Sequence, residues 1–259
     1  MREVFKIGLQ NKNIAITGGY GYLGRAIVDS LVAHEARVFV LGRDEQKFKD
    51  EFLGIERVEF IHCDVASTQS IRDALNDVYA SVNSLDVFIN NAFYSKGQFP
   101  ESLSDEDWSY GIEGTLGSVF RCSREVVSRM VLQRYGKLIN VSSMYGLVAP
   151  QFDVYEGSER FLNPPHYGAA KAGIIQLTRY YASYYGRFGI TVNCVTPGAF
   201  PSPEVQKDSR FINDLASRTC LGRIGDPKDV AGAFVFLSSD AANYITGQNI
   251  IVDGGWTAR

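Results

Sequence analysis

The chain predicts an α/β fold: one domain over residues 1–259, built on a doubly wound parallel sheet of about seven strands with helices on both faces. Short apolar runs at residues 13–17, 36–41, 58–65, 85–92, 137–141, 190–195 and 249–252 have the length of buried strands, and amphipathic helical stretches separate most of them. The first run passes directly through a glycine cluster into a helical pattern. No repeat, low-complexity tract or linker interrupts the 259 residues, so a second domain is not expected.

Composition narrows the function classes. The chain is 45% hydrophobic and 21% charged, ordinary for a soluble globular protein. Its 26 Lys and Arg against 29 Asp and Glu give a net charge of −3, which offers no electrostatic footprint for nucleic acid or an anionic membrane. Residues 1–7 lack the apolar core of a leader, and no apolar run approaches ~18 residues, so a cytoplasmic location is expected. Cys63, Cys122, Cys194 and Cys220 are widely spaced, and only three His are present, so neither a disulfide framework nor a metal site is expected.

Residues 13–17 lead into Gly18-Gly19-Tyr20-Gly21-Tyr22-Leu23-Gly24 and then a helical pattern over 25–32. A pyrophosphate can approach such a turn because no Cβ holds the backbone away, and the first free amides of the helix point at its charge. With the strand at 36–41 completing a βαβ unit, the turn predicts a Rossmann-type dinucleotide site. Gly18, Tyr20, Gly21, Tyr22, Leu23 and Gly24 are its candidate cofactor residues. The second strand ends in Gly42-Arg43-Asp44, where a carboxylate would meet a free ribose 2′-hydroxyl and an arginine a 2′-phosphate. Gly42 stands at the carboxylate position and Arg43 follows it. NADP(H) is therefore favoured, NAD(H) stays open, and Asp44 is the residue able to reverse the choice. The competing reading of Arg43 is a solvated loop charge.

The third run delivers Asp64 and Val65 to its carboxyl end, and the fourth delivers Asn90, Asn91 and Ala92, with a helix expected between them over 68–82. In a parallel doubly wound sheet the ligand crevice lies at these strand ends. Asn90 and Asn91 have a purely structural alternative, since side-chain amides often satisfy loop backbone groups. Residues 105–134 include an amphipathic stretch, Val119-Phe120 through Val126-Val127 to Met130-Val131, that can pack as one long helix. The fifth strand, 137–141, brings Ser142-Ser143 to the same sheet edge, where a hydroxyl can donate to a substrate carbonyl, although adjacent serines also serve as turn or helix caps.

Residues 146–166 show no period and contain Pro150, Gly157, Pro164 and Pro165 among Phe152, Tyr155 and Phe161. They can form a substrate-binding loop or a surface insertion. After a long helix from Tyr167 comes the sixth strand, then Pro197-Gly198. The segment 199–221 could form a lid. Asp226 is expected to cap a helix with Pro227 at its first position. The strand 249–252 ends in Asp253-Gly254-Gly255.

Tyr167 and Lys171 stand four residues apart, which in a helix places them on one face with Cβ atoms roughly 5–6 Å apart. A tyrosine titrates near pH ~10, and a neighbouring ammonium would lower that value and fit it for proton transfer at neutral pH. A solvated lysine one turn from a half-buried tyrosine would look the same in sequence.

Together these residues resemble the short-chain dehydrogenase/reductase family over essentially the full chain. The resemblance rests on Thr17-Gly18 with Gly21 and Gly24, Asp64-Val65, Asn90-Asn91-Ala92, Ser143, Tyr167 with Lys171, Pro197-Gly198, and the closing Ile245-Thr246-Gly247 and Asp253-Gly254-Gly255. It implies Tyr167 as acid/base, Lys171 as its tuner and holder of the nicotinamide ribose, and Ser143 as the group polarising the carbonyl. Ser143 is preferred to Ser142 because it stands three residues before Gly146. Asp64, Val65, Asn91, Ala92, Pro197 and Gly198 then join the cofactor residues. Three positions depart from the family pattern: Tyr22 replaces a small residue in the glycine turn, Phe93 replaces the Gly after Asn90-Asn91-Ala92, and Thr115, the fourth catalytic candidate, stands where an Asn completes the proton relay, a place from which its hydroxyl could carry a proton or help hold a water but could not offer an amide carbonyl. The long interval between Ser143 and Tyr167 resembles a subgroup of sugar-modifying and surface-polysaccharide enzymes, for which Glu156, Ser158, Glu159, Arg160 and Asn163 would be suitable loop groups.

Two functions remain in view. One is an NADP(H)-dependent oxidoreductase interconverting a secondary alcohol and a ketone, acting on CH–OH groups of a small molecule that includes sugar derivatives. The other is a nucleotide-binding regulatory or structural protein that has lost turnover, a reading that Thr115 keeps alive. The apolar face formed by Val230, Ala231, Phe234, Val235 and Leu237, with the edge strand that follows, predicts a homo-oligomer, tetramer or dimer.

Overall fold

The computed structural model describes residues 7–259; residues 1–6, most of the stretch read for a leader, lie outside the described residues. Seven parallel strands form one sheet in the order β3-β2-β1-β4-β5-β6-β7. They are β1 (Asn13–Thr17), β2 (Arg37–Gly42), β3 (Val58–His62), β4 (Val87–Asn90), β5 (Gly136–Val141), β6 (Ile190–Pro197) and β7 (Asn249–Val252). The helices between them are α1 (Tyr22–Ala33), α2 (Glu45–Phe52), α3 (Thr68–Ser81), α4 (Asp105–Ile112), α5 (Ser118–Gln133), α6 (Pro165–Tyr185), α7 (Ser209–Arg218) and α8 (Pro227–Ser238). Strand order reverses between β1 and β4, so the crevice expected of a doubly wound sheet opens above their carboxyl ends.

Strand alternation divides the core into two layers. Ile14 and Ile16 of β1 point with Val38, Val40 and Ile89 toward α1 and α8, whereas Ala15 points with Phe39, Phe88 and Val192 toward α3, α5 and α6. Both faces are therefore buried, which is why the strands read as continuous apolar runs. Full burial of each such aliphatic or aromatic side chain is worth about 1.5–3 kcal/mol.

Several boundaries differ from expectation. β3 and β4 stop early, which leaves Asp64, Asn91 and Ala92 in loops free to face the crevice. The amphipathic stretch from Val119 to Val131 lies within one helix, α5, as expected; ahead of it a π-helical turn at Glu113–Gly117 separates α5 from α4 and carries Thr115. The helix α6 begins at Pro165, two residues before Tyr167, with Pro at its first position. The α8 start is as expected, with Asp226 as cap, Pro227 following and Asp229 closing a capping box. Its apolar face is not offered to a partner: Val230, Ala231, Phe234, Val235 and Leu237 are buried within the chain, and α8 packs on α1 and the sheet.

At the opposite end of the sheet Lys137 in β5 is 2% exposed, and its Nζ donates to Asn243 Oδ1 at 2.7 Å. Burial pulls its pKa down to about 8, against an upward pull from Asp240. A lysine depressed in the fold binds fewer protons folded than unfolded, so stability rises with pH between that value and the ordinary one. Unfolding in urea should show wild-type stability increasing from pH 8 to pH 10, and Lys137→Met should flatten that increase by about 1–3 kcal/mol. Identical pH slopes in the two proteins would show that the ammonium is not penalised.

Candidate active site

The glycine turn between β1 and α1 has the shape a pyrophosphate needs. Gly18 adopts φ +65°, a conformation that favours glycine, and a Cβ on Gly24 would strike the Gly18 carbonyl oxygen. Gly21 caps α1 without any side-chain hydrogen bond, so the amides of the first turn open on the crevice. The residues present thus fit a dinucleotide. All the cofactor and catalytic candidates other than Thr115 line one cleft of about 470 Å³.

Asn91 and Asp64 shape this cleft partly through internal bonds. Asn91 Nδ2 donates to the carbonyls of Thr17 and Gly18, both at 3.0 Å, and so ties the end of β4 to the glycine turn. Asp64 Oδ1 accepts the Ala66 amide at 3.0 Å. Asn90 takes the structural alternative outright: it is 3% exposed and donates to Ser123 Oγ at 3.0 Å and Asn140 Oδ1 at 2.8 Å.

At the end of β2, the Tyr20 ring occupies the space that a side chain at Gly42 would need. Tyr20 Oη accepts the backbone N–H groups of Arg43 at 3.0 Å and Asp44 at 3.3 Å. The Asp44 carboxylate turns away to cap α2, accepting the Lys47 amide at 2.9 Å. Arg43 is exposed and forms no ion pair among the described residues, and Lys47 Nζ lies 5.8 Å from the Tyr20 ring centroid. This corner therefore presents cations and no carboxylate aimed at a ribose.

The catalytic candidates converge because two backbones touch. A Cβ on Gly146 would fall 2.7 Å from the Lys171 carbonyl carbon, and one on Gly168 would fall 2.8 Å from the Tyr145 oxygen. These two close approaches of a glycine to the opposing backbone seat the 3₁₀ turn after β5 against α6 and bring Ser143 beside Tyr167. Lys171 Nζ donates to the Val141 carbonyl at 2.9 Å, and Ser142 Oγ donates to the Lys171 carbonyl at 2.8 Å. Val141 and Ser142 thus position the lysine, a role that sequence spacing does not reveal.

Burial governs the protonation of both groups. Tyr167 is half-buried, and burial raises its pKa above the ordinary value, with a hydrogen bond from Ser143 opposing. Lys171 is 3% exposed and burial lowers its pKa to about 8. Its Nζ lies 5.5 Å from the Tyr167 ring centroid. The expected lowering of Tyr167 by Lys171 is not found: burial raises the tyrosine, and the opposing pull comes from Ser143.

Thr115 lies apart from this group. It is fully buried in the π-helical turn, its Oγ1 has no hydrogen-bond partner among the described residues, and it does not line the cleft. Phe93, by contrast, enters the site. Its ring centroid is 5.8 Å from that of Tyr167 and 5.2 Å from Lys171 Nζ. Its presence as a departure from glycine was the available signal.

From Ser143 and Tyr167 a second cavity of about 470 Å³ continues between residues 146–166 and 199–221. The two segments are joined by Asp208, which accepts from Ser158 Oγ at 3.2 Å and from Arg160 Nη2 at 2.7 Å. Arg218 pairs with Asp153 across the same seam. Tyr22 Oη accepts Gln206 Nε2 at 3.1 Å, linking the glycine turn to the lid segment. Of the polar loop groups singled out for a sugar, Glu156 and Glu159 are exposed, Ser158 and Arg160 bind Asp208, and Asn163 alone lines the cavity. Among the described residues no group of three or more His, Cys, Asp or Glu could hold a metal, and no helix is long and apolar enough to cross a membrane.

The family model described as enoyl-(acyl carrier protein) reductase matches residues 22–257. The chain is 32% identical over 254 residues to the 3-oxoacyl-[acyl-carrier-protein] reductase of Chlamydia muridarum, covering 95% of this chain and 98% of that one. Among solved structures it resembles a gluconate 5-dehydrogenase from Burkholderia cenocepacia in complex with NADP and tartrate, with TM-score 0.85, 27% identity and 98% of each chain covered. It also resembles a short-chain dehydrogenase from Leptospira borgpetersenii with bound NAD+, with TM-score 0.86, 30% identity, and 99% of this chain and 98% of that one covered.

Proposed function

The chain belongs to the short-chain dehydrogenase/reductase family, and we propose that it is an NADP(H)-dependent enzyme interconverting a secondary alcohol and a ketone. The observation that carries this reading is the convergence of Ser143, Tyr167 and Lys171 where the glycine-turn cleft meets the second cavity. The uncompensated Arg43, with Asp44 turned away, supports the phosphorylated cofactor, as does the NADP-bound neighbour; the NAD+-bound neighbour keeps NAD(H) as the lesser alternative.

The nicotinamide would supply or accept a hydride at the carbonyl carbon. In reduction Tyr167 Oη delivers the proton to the carbonyl oxygen, so ketone, hydride and proton together give the alcohol. Ser143 Oγ donates to the same oxygen and stabilises the charge that develops there. Lys171, held by Val141 and Ser142, stands beside Tyr167 and the ribose side of the cleft. Thr115 Oγ1 makes no hydrogen bond to any of these groups among the described residues. Absorbance of the nicotinamide, followed with NADPH or NADH and a set of ketones, tests the activity. An enzyme that binds NADPH and turns over no ketone or secondary alcohol would defeat the proposal.

Four free cysteines, three of them buried, are compatible with the reducing cytoplasm. The assembly we propose is a homo-oligomer, tetramer or dimer. Among the described residues strand β7 pairs only with β6 and carries Ile251 at 45% exposure, while Phe120, Tyr180 and Tyr184 are exposed on α5 and α6. Light scattering at micromolar concentration should report a mass above the 28.7 kDa of one chain; a monomer would overturn this.

A further inference from the structure

Resting on the reading of the protein as an oxidoreductase, we infer that its substrate is an uncharged ketone or alcohol with a flat, apolar or aromatic body. The second cavity is where the body of a substrate must lie if its carbonyl is to reach Ser143 and Tyr167. Among the described residues no Asp, Glu, Lys, Arg or His lines it. Its walls are aromatic: Phe211 packs against Tyr155 at 5.4 Å and Phe161 at 5.0 Å between ring centroids, Phe93 packs on Tyr167, and Phe200 closes the side toward the cofactor cleft.

The cations near this cavity are already engaged, Lys171 among them, whose Nζ lies 5.2 Å from the Phe93 ring centroid and donates to the Val141 carbonyl. Arg160 binds Asp208, Lys207 binds Glu204, Arg210 faces Asp214 and Arg218 binds Asp153. A carboxylate or phosphate on the substrate would thus lose its water without gaining a counter-ion, a large penalty in an apolar site. The polar groups that do line the cavity are neutral. Tyr145 and Tyr155 share a hydrogen bond of 2.5 Å between their hydroxyls, and Asn163 Nδ2 donates to Tyr155 Oη at 3.4 Å. Burial raises the pKa of both tyrosines, so neither supplies an anion at neutral pH. This small polar pole suits one hydroxyl, ether or carbonyl substituent, whereas a polyol would leave most of its hydroxyls against phenyl rings.

The test compares kcat/KM for 2-tetralone, fructose and 5-ketogluconate with NADPH, together with calorimetric titration of each ketone into the NADP+-loaded enzyme. 2-Tetralone should exceed 5-ketogluconate by about 100-fold or more, with fructose also well below it. Phe161→Ala should raise KM for 2-tetralone about tenfold and leave NADPH affinity unchanged. Equal or better turnover or binding of 5-ketogluconate or fructose would overturn the substrate class while leaving the oxidoreductase reading intact. Selective binding of 2-tetralone without turnover of any ketone would uphold the cavity's preference and defeat the oxidoreductase reading. Failure of all three ketones to bind would overturn the inference.

Discussion

Tyr167→Phe is expected to lower kcat by about 10²–10⁴-fold while NADPH binds with nearly unchanged affinity. Phenylalanine keeps the ring that packs on Phe93 and removes only the hydroxyl, so the cleft should hold its shape. Burial keeps Tyr167 protonated above its ordinary range. The hydroxyl is thus ready to donate at neutral pH, and ketone reduction needs no titration step there. Alcohol oxidation requires the hydroxyl to lose its proton first, so its rate should climb with pH on the alkaline side while the reduction rate does not. Nicotinamide absorbance against pH in both directions, with fluorescence titration of NADPH, measures all of this. Full activity in the phenylalanine variant would remove Tyr167 from the reaction.

Arg43→Ala should weaken NADPH binding by roughly 10–150-fold and leave NADH nearly unchanged, because a charge-assisted contact to the 2′-phosphate is worth about 1.5–3 kcal/mol. The surroundings support so selective an effect. Asp44 caps α2, Tyr20 fills the space over Gly42, and Arg43 has no ion pair among the described residues. Fluorescence titration with each cofactor decides the matter. Equal losses for both, or a wild-type preference for NADH, would count against a phosphate at this corner.

The strands were legible because both sheet faces are buried and the apolar runs are continuous, and the glycine turn was legible because backbone proximity demands glycine. What escaped reading depends on tertiary contact. Helix α2 is mostly polar and draws on the Asp44 cap and on Phe48 stacking with Phe52 at 5.3 Å. The cap was nonetheless readable, since Asp44 precedes a run of helix formers. The π-helical turn around Thr115 continues a helical pattern, so sequence periodicity cannot separate it from α4 and α5. The apolar side of α8 announced burial without saying against what, and the answer is α1 and the sheet. The aromatic cavity draws residues from three separate segments, whereas the polar loop groups that drew attention in sequence, Asn163 excepted, bind Asp208 or face solvent.

The contact of Gly146 and Gly168 with the opposing backbones has an evolutionary and engineering consequence. It fastens the serine to the tyrosine and lysine at a point ahead of the long excursion that follows, so the reacting groups hold their mutual placement whatever the intervening loop contains. The stretch from 147 to 164 can therefore carry changes to the cavity walls, at Phe161 or Asn163, while the proton-transfer apparatus beneath it keeps its placement; Val154 and Tyr155 of the same stretch are held in a buried cluster with Phe211 and Leu215.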